Sequence, residues 1–160
     1  MLLLLSLIAP VLPAESIFPL GWRGVPFGPD SVLATPPGTS CVAAPERGVY
    51  WRCVEPIGEY SYSVSYMGEE DLFTGVYVQC TGYLACTHLY TVLTAAWAPT
   101  LFTPKYKGAT DGNWFRANNV GSYSYNQYSQ TGSAIISDLT VYSQIEAVKK
   151  ARASQAAGGL

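Results

Sequence analysis

His88 is the single histidine among 160 residues, so any acid–base or metal chemistry built on imidazole has to use it. A Ser-His-Asp arrangement would require a nucleophile held in a strained turn, yet no Gly-x-Ser-x-Gly motif occurs. Paired carboxylates are the other common hydrolytic device, and Glu55, Glu59, Glu69, Glu70, Asp71 and Asp111 are the candidates. Glu69, Glu70 and Asp71 are consecutive, however, which reads as a solvated turn that discourages edge pairing. Their spacing fits no calcium loop. No Cys-x-x-Cys pair accompanies His88, so a zinc set is not expected, and Cys86-Thr87-His88 lacks the first cysteine of a haem attachment signature. The inventory predicts no catalytic residue, no metal ligand and no cofactor. A small secreted hydrolase is carried only as an alternative.

The four cysteines have a different meaning, set by the start of the chain. Residues 1–14 are an apolar run ending Leu-Pro-Ala before Glu15, the pattern of a secretory signal peptide cleaved near Ala14. Spanning a bilayer needs about 20 apolar residues, which this run lacks. Export places an even number of cysteines in an oxidising compartment, where two disulfides are expected. Cys41, Cys53, Cys80 and Cys86 allow three connectivities, and spacing favours Cys41 with Cys53 and Cys80 with Cys86. The first pair brackets a Pro-Glu-Arg-Gly turn. The second suits two strands joined by a short Gly-containing loop.

Recognition chemistry is better represented than catalysis. Twelve Tyr and four Trp supply rigid amphipathic contact area, and Ser neighbours leave the rings accessible. Trp114, Phe115 and Arg116, with Tyr123, Tyr125 and Tyr128, are the candidate binding residues. Tyr60, Tyr62 and Tyr66 are balanced between core packing and a contact face. Charged residues make up only 12% of the chain and the net charge is −2, so a basic nucleic-acid-binding face is excluded. With 49% hydrophobic residues the chain is not disordered either.

The elements that must position these groups follow from periodicity. Residues 15–47 are rich in Pro and Gly and form an extended arm, whose Ile17, Phe18, Trp22 and Phe27 should dock on the chain's own domain or on a neighbour. Residues 48–146 read as a β-rich domain. Tyr60, Tyr62, Val64 and Tyr66 alternate with serines, and Val76, Val78 and Cys80 share one face of a following strand. A strand is expected from Tyr50 to Glu55, stopped by Pro56. Tyr83–Trp97 is ambiguous between a long strand and a helix, and Thr87, Thr91, Val92 and Thr94 favour the strand. Residues 100–122 read as a long loop carrying Trp114. Residues 122–129 read as a second Tyr/Ser strand, a candidate partner of the first. Over Ser133–Gln155, Ile135, Leu139, Tyr142, Ile145 and Val148 recur at helical steps of three and four, while Ile, Thr and Val crowding favours a last strand over 133–145 with a helix from about Gln144 to Ala156; the split reading is preferred, with a helical tail over 147–160. The fold class is mainly β: a disulfide-stapled antiparallel sandwich or barrel-like domain with a Pro/Gly-rich N-terminal arm and a short C-terminal helix.

The run Thr74-Gly75-Val76-Tyr77-Val78-Gln79-Cys80-Thr81-Gly82, followed by Cys86 and by Trp97-Ala98-Pro99, is similar to a segment of the N-terminal penetration domain of filamentous-phage adsorption proteins. The resemblance implies export and disulfide linkage. No long Gly-rich linker follows and no C-terminal anchor is seen, so membership of that family is not adopted.

The functional expectation is an exported, non-enzymatic structural or adhesion subunit, secreted or at the cell surface. It would assemble with other protein subunits, foremost copies of itself, through strand edges and Tyr/Trp surface. The alternative is a monomeric carbohydrate- or receptor-binding module. No nucleic acid and no membrane span in the mature chain are expected.

Overall fold

A computed structural model of the chain describes residues 21–29, 34–97, 102–104, 112–116 and 119–158. The protein is mainly β and antiparallel. A two-stranded ribbon pairs β1 (Gly21–Trp22) with β2 (Val25–Pro26). The main sheet has nine strands: β3 (Gly28–Pro29), β4 (Cys41–Ala43), β5 (Val49–Ile57), β6 (Tyr60–Glu69), β7 (Leu72–Thr81), β8 (Phe102–Pro104), β9 (Gly112–Arg116), β10 (Asn119–Asn126) and β11 (Thr131–Asp138). Their order is β4-β5-β6-β7-β11-β10-β9-β8, with β3 added to β7. Helices α1 (Tyr83–Trp97) and α2 (Leu139–Gly158) follow β7 and β11.

Period-two alternation turns this order into two faces. Cys53, Val64, Val78, Ala134 and Tyr123 are register partners in one row across β5, β6, β7, β11 and β10, and all five are buried. The ribbon and α1 pack on that inner face: Trp22, Leu89 and Leu93 join Tyr62, Tyr66, Val76 and Ile136 in one core. Burying each such aliphatic or aromatic side chain contributes about 1.5–3 kcal/mol. Between β6 and β7, Glu70 and Asp71 have φ of 55° and 62°, the two left-handed residues of a tight hairpin turn. The carboxylate cluster thus ends β6 and turns the chain, as its sequence implies, but Glu69 and Glu70 are paired with Lys149 and Arg152 of α2 rather than left to solvent.

Both disulfides are present in the favoured pairing, Cys41–Cys53 and Cys80–Cys86. Cys41 and Cys53 are direct partners across β4 and β5. Cys80–Cys86 joins a strand to a helix, not two strands, because Tyr83–Trp97 is helical. Gly82, with φ of 88°, turns the chain out of β7, and Cys86 N donates to Gly82 O to begin the helix. Cys86, Leu89 and Leu93 then recur at helical spacing on the buried side. The threonines that suggested a strand are accommodated because Thr91 and Thr94 hydroxyls donate to the carbonyls of Thr87 and Tyr90, one turn back. Burial of that stripe outweighs their β preference.

Other expectations are corrected in the same physical terms. β5 does not stop before Pro56 but runs through it to Ile57. Arg23 donates to the Pro56 carbonyl, so residue 56 turns its hydrogen-bonding side away from β6, beyond the reach of short β4, and its missing N–H breaks no ladder bond. Residues 102–104, 112–116 and 119–126 are strands rather than one loop. The two Tyr/Ser strands do not pair, since β7 and β11 lie between them. The last strand ends at Asp138, whose Oδ1 accepts from Thr140 N at 2.7 Å and caps α2 well before Gln144. Val141 and Ile145 hold α2 against Leu72, while residues 149–157 are exposed.

Candidate functional site at the hairpin end

The end of the sheet where β7 passes into α1 is built from short-range constraints. Gly82 N donates to Gln130 O at 2.8 Å, tying the α1 entrance to the β10–β11 turn. In that turn Asn126 Oδ1 accepts from the backbone N–H of Tyr128 and Ser129, and the hydroxyls of Ser129 and Thr131 bond each other at 2.7 Å. The Cys80–Cys86 disulfide fixes the same corner. On this frame Tyr83 is 61% exposed, Leu84 68% and Tyr128 91%. Tyr83 meets half-buried Tyr125 edge-on, with ring centroids 6.4 Å apart. Large aromatic rings held at low entropic cost are contact chemistry.

Beneath this end the remaining tyrosines are anchors. Tyr62 is buried, and its hydroxyl lies 3.0 Å from Ala85 O and 2.7 Å from His88 Nδ1. One phenolic hydrogen can serve only one of these; with it on Ala85 O, His88 Nδ1–H donates to the Tyr62 oxygen. Burial, with Tyr60 and Glu59 nearby, pushes the Tyr62 phenol up to about 12. Tyr123 donates to Cys86 O at 2.9 Å, and burial raises its phenol well above the usual range. Tyr66 donates to Glu55 Oε1 at 2.6 Å, and burial followed by that hydrogen bond raises its phenol further still. Glu55 Oε2 also accepts from Trp22 Nε1 and Arg23. Its oxygens are engaged by three donors, which is the arrangement of a structural tie rather than of a free acid or base.

The outer face of the sheet has a different chemistry. The register that builds the buried row places Ser63, Gln79, Ser133 and Ser124 in the adjacent row, across β6, β7, β11 and β10. Thr81, Thr131 and Asn126 form the next row toward the hairpin end. Together with Ser61 and Tyr77 they line an open trough of about 440 Å³ that contains no charged side chain. Leu72 lies on the outer side because a bulge near Met67 and Gly68 inverts the alternation, so α2 covers this face only at the far end.

The sequence-nominated residues divide. Tyr128 is exposed and Tyr125 half-exposed at this end, while Tyr123 belongs to the core. The alternation of 122–129 identified Tyr123 and Tyr125 as sharing a face without revealing that α1 covers it. Trp114, Phe115 and Arg116 lie in β9, their side chains outside the described residues. In the arm, Trp22 is wholly buried and Phe27 packs on Phe73 with centroids 5.1 Å apart, both within the chain's own domain; Ile17 and Phe18, like residues 1–14 read as a signal peptide, lie outside the described residues. Tyr83, Leu84 and the trough were missed. Gly82 before an apolar i, i+3, i+7 series was the available signal for the first two, and the period-two serines were the signal for the third.

Among the described residues no group of three His, Cys, Asp or Glu side chains is placed to hold a metal. No described helix is long and apolar enough to cross a membrane. Two disulfides fit an extracellular protein. No family model matches the chain, and no curated protein or solved structure matches it.

Proposed function

We propose that the chain is an exported, non-enzymatic structural or adhesion subunit that joins other protein subunits, copies of itself first among them, through aromatic surface at the hairpin end. The observation that carries this reading is the exposure of Tyr83, Leu84 and Tyr128 on a corner held by a disulfide, an Asx turn and the Gly82–Gln130 hydrogen bond. With its backbone already tied down, the corner pays only side-chain ordering on association. The corner is preferred to the β5 edge, where Pro56 and Arg23 discourage addition of a strand.

Light scattering coupled to size exclusion tests the reading on the mature chain. Association should persist at about 0.5 M salt, because apolar contact is not screened. Tyr83→Ala with Tyr128→Ala should shift the population to monomer, with the melting temperature of the wild type at dilutions where it too is monomeric. A wild-type chain that remains monomeric at every concentration overturns the proposal.

A further inference from the structure

We infer that the outer trough is a binding site for a neutral polyhydroxylated ligand, a glycan residue. This goes beyond subunit assembly and does not depend on it, since the trough and the Tyr83 corner are separate surfaces.

Ser61, Ser63, Gln79, Ser124 and Ser133 point hydroxyls and a carboxamide into a concave face, and none of the five side chains has a hydrogen-bond partner among the described residues. These groups donate and accept with equal facility, as sugar hydroxyls do. The Arg52–Glu46 ion pair lies at the sheet's β4 edge, outside the lining. An anionic ligand would therefore find no counter-charge here, and a cationic one no carboxylate. The volume falls within the range of small-ligand sites. Tyr77 contributes a half-exposed ring to the lining. Hydrogen-bonding groups beside an aromatic ring suit a sugar's polar edges and apolar face. Ser63, Gln79 and Ser133 lie where their strands are paired on both sides, Ser124 is paired to Ser133, and the buried row closes the sheet underneath, so the groups are preorganised.

The test is a titration of isotope-labelled mature protein with cellotriose, chitotriose, maltotriose, mannotriose and lactose up to about 10 mM, followed by amide chemical shifts. At least one sugar should move the amides of Gln79, Gly132 and Ser133 saturably. Gln79→Ala and Ser124→Ala, both at exposed positions, should keep the wild-type melting temperature and weaken that sugar about fivefold or more each. Trigalacturonate, the charged control, should leave the spectrum unchanged. The inference is overturned if no sugar shifts these amides, if the shifts lie elsewhere, if both variants bind as wild type, or if trigalacturonate binds equally well.

Discussion

Trp22 Nε1 donates to Glu55 Oε2 at 3.1 Å, joining the ribbon to β5 across 33 positions of sequence. The indole is wholly buried, and the same carboxylate accepts from Tyr66, so one side chain satisfies two core donors. Glu55→Ala should lower unfolding free energy by about 2–4 kcal/mol in urea melts, because both donors lose a charged acceptor. Arg23→Ala should cost under about 1 kcal/mol, since that ion pair is half in water. Equal losses for the two variants would contradict the Glu55 hub.

Tyr123 and Tyr128 belong to one hairpin and should respond oppositely. Tyr123→Ala is expected to cost about 3 kcal/mol or more, and Tyr123→Phe about 1 kcal/mol through the lost bond to Cys86 O. Tyr128→Ala should stay within about 0.5 kcal/mol. Denaturant midpoints at constant slope provide the comparison.

The Cys80–Cys86 staple closes a separation of six residues. Replacing both cysteines by serine should cost about 2 kcal/mol by the chain-entropy account. The chain, denatured without reductant, should yield no titratable thiol, and its mass should be four hydrogens below that of the reduced chain. A free thiol would refute the pairing.

Stability should also fall in alkali. Tyr62 titrates at about 12 in the fold against 10.0 for the free phenol, so between these values the unfolded chain has released a proton that the fold retains. Unfolding is then favoured as pH rises. The tyrosine contribution is complete below pH 10 and declines above it, with Tyr66 and Tyr123 extending the loss in the same direction. Phenolate absorbance should therefore appear in two stages, exposed tyrosines first and buried ones together with loss of ellipticity. Simultaneous titration of all tyrosines with structure intact would show that these three are not buried.

Periodicity was sufficient where one face of a strand is apolar: Tyr62, Val64 and Tyr66 share a side because successive residues alternate, and no tertiary contact is needed to know it. Cysteine spacing likewise favoured both staples. The tertiary structure decided which faces are covered, because that depends on where distant elements land. Burial of Cys86, Leu89 and Leu93 made a helix of Thr-rich 83–97, and α1 and the ribbon turned Tyr62, Tyr66 and Tyr123 from possible contacts into core. The opposite face owes its character to the same registers. Ser63, Gln79, Ser124 and Ser133 are scattered over 70 positions of sequence, and only strand order aligns them in one uncharged row. A local pattern fixes which neighbours a side chain shares a face with; what lies opposite that face is set by the packing of the whole chain.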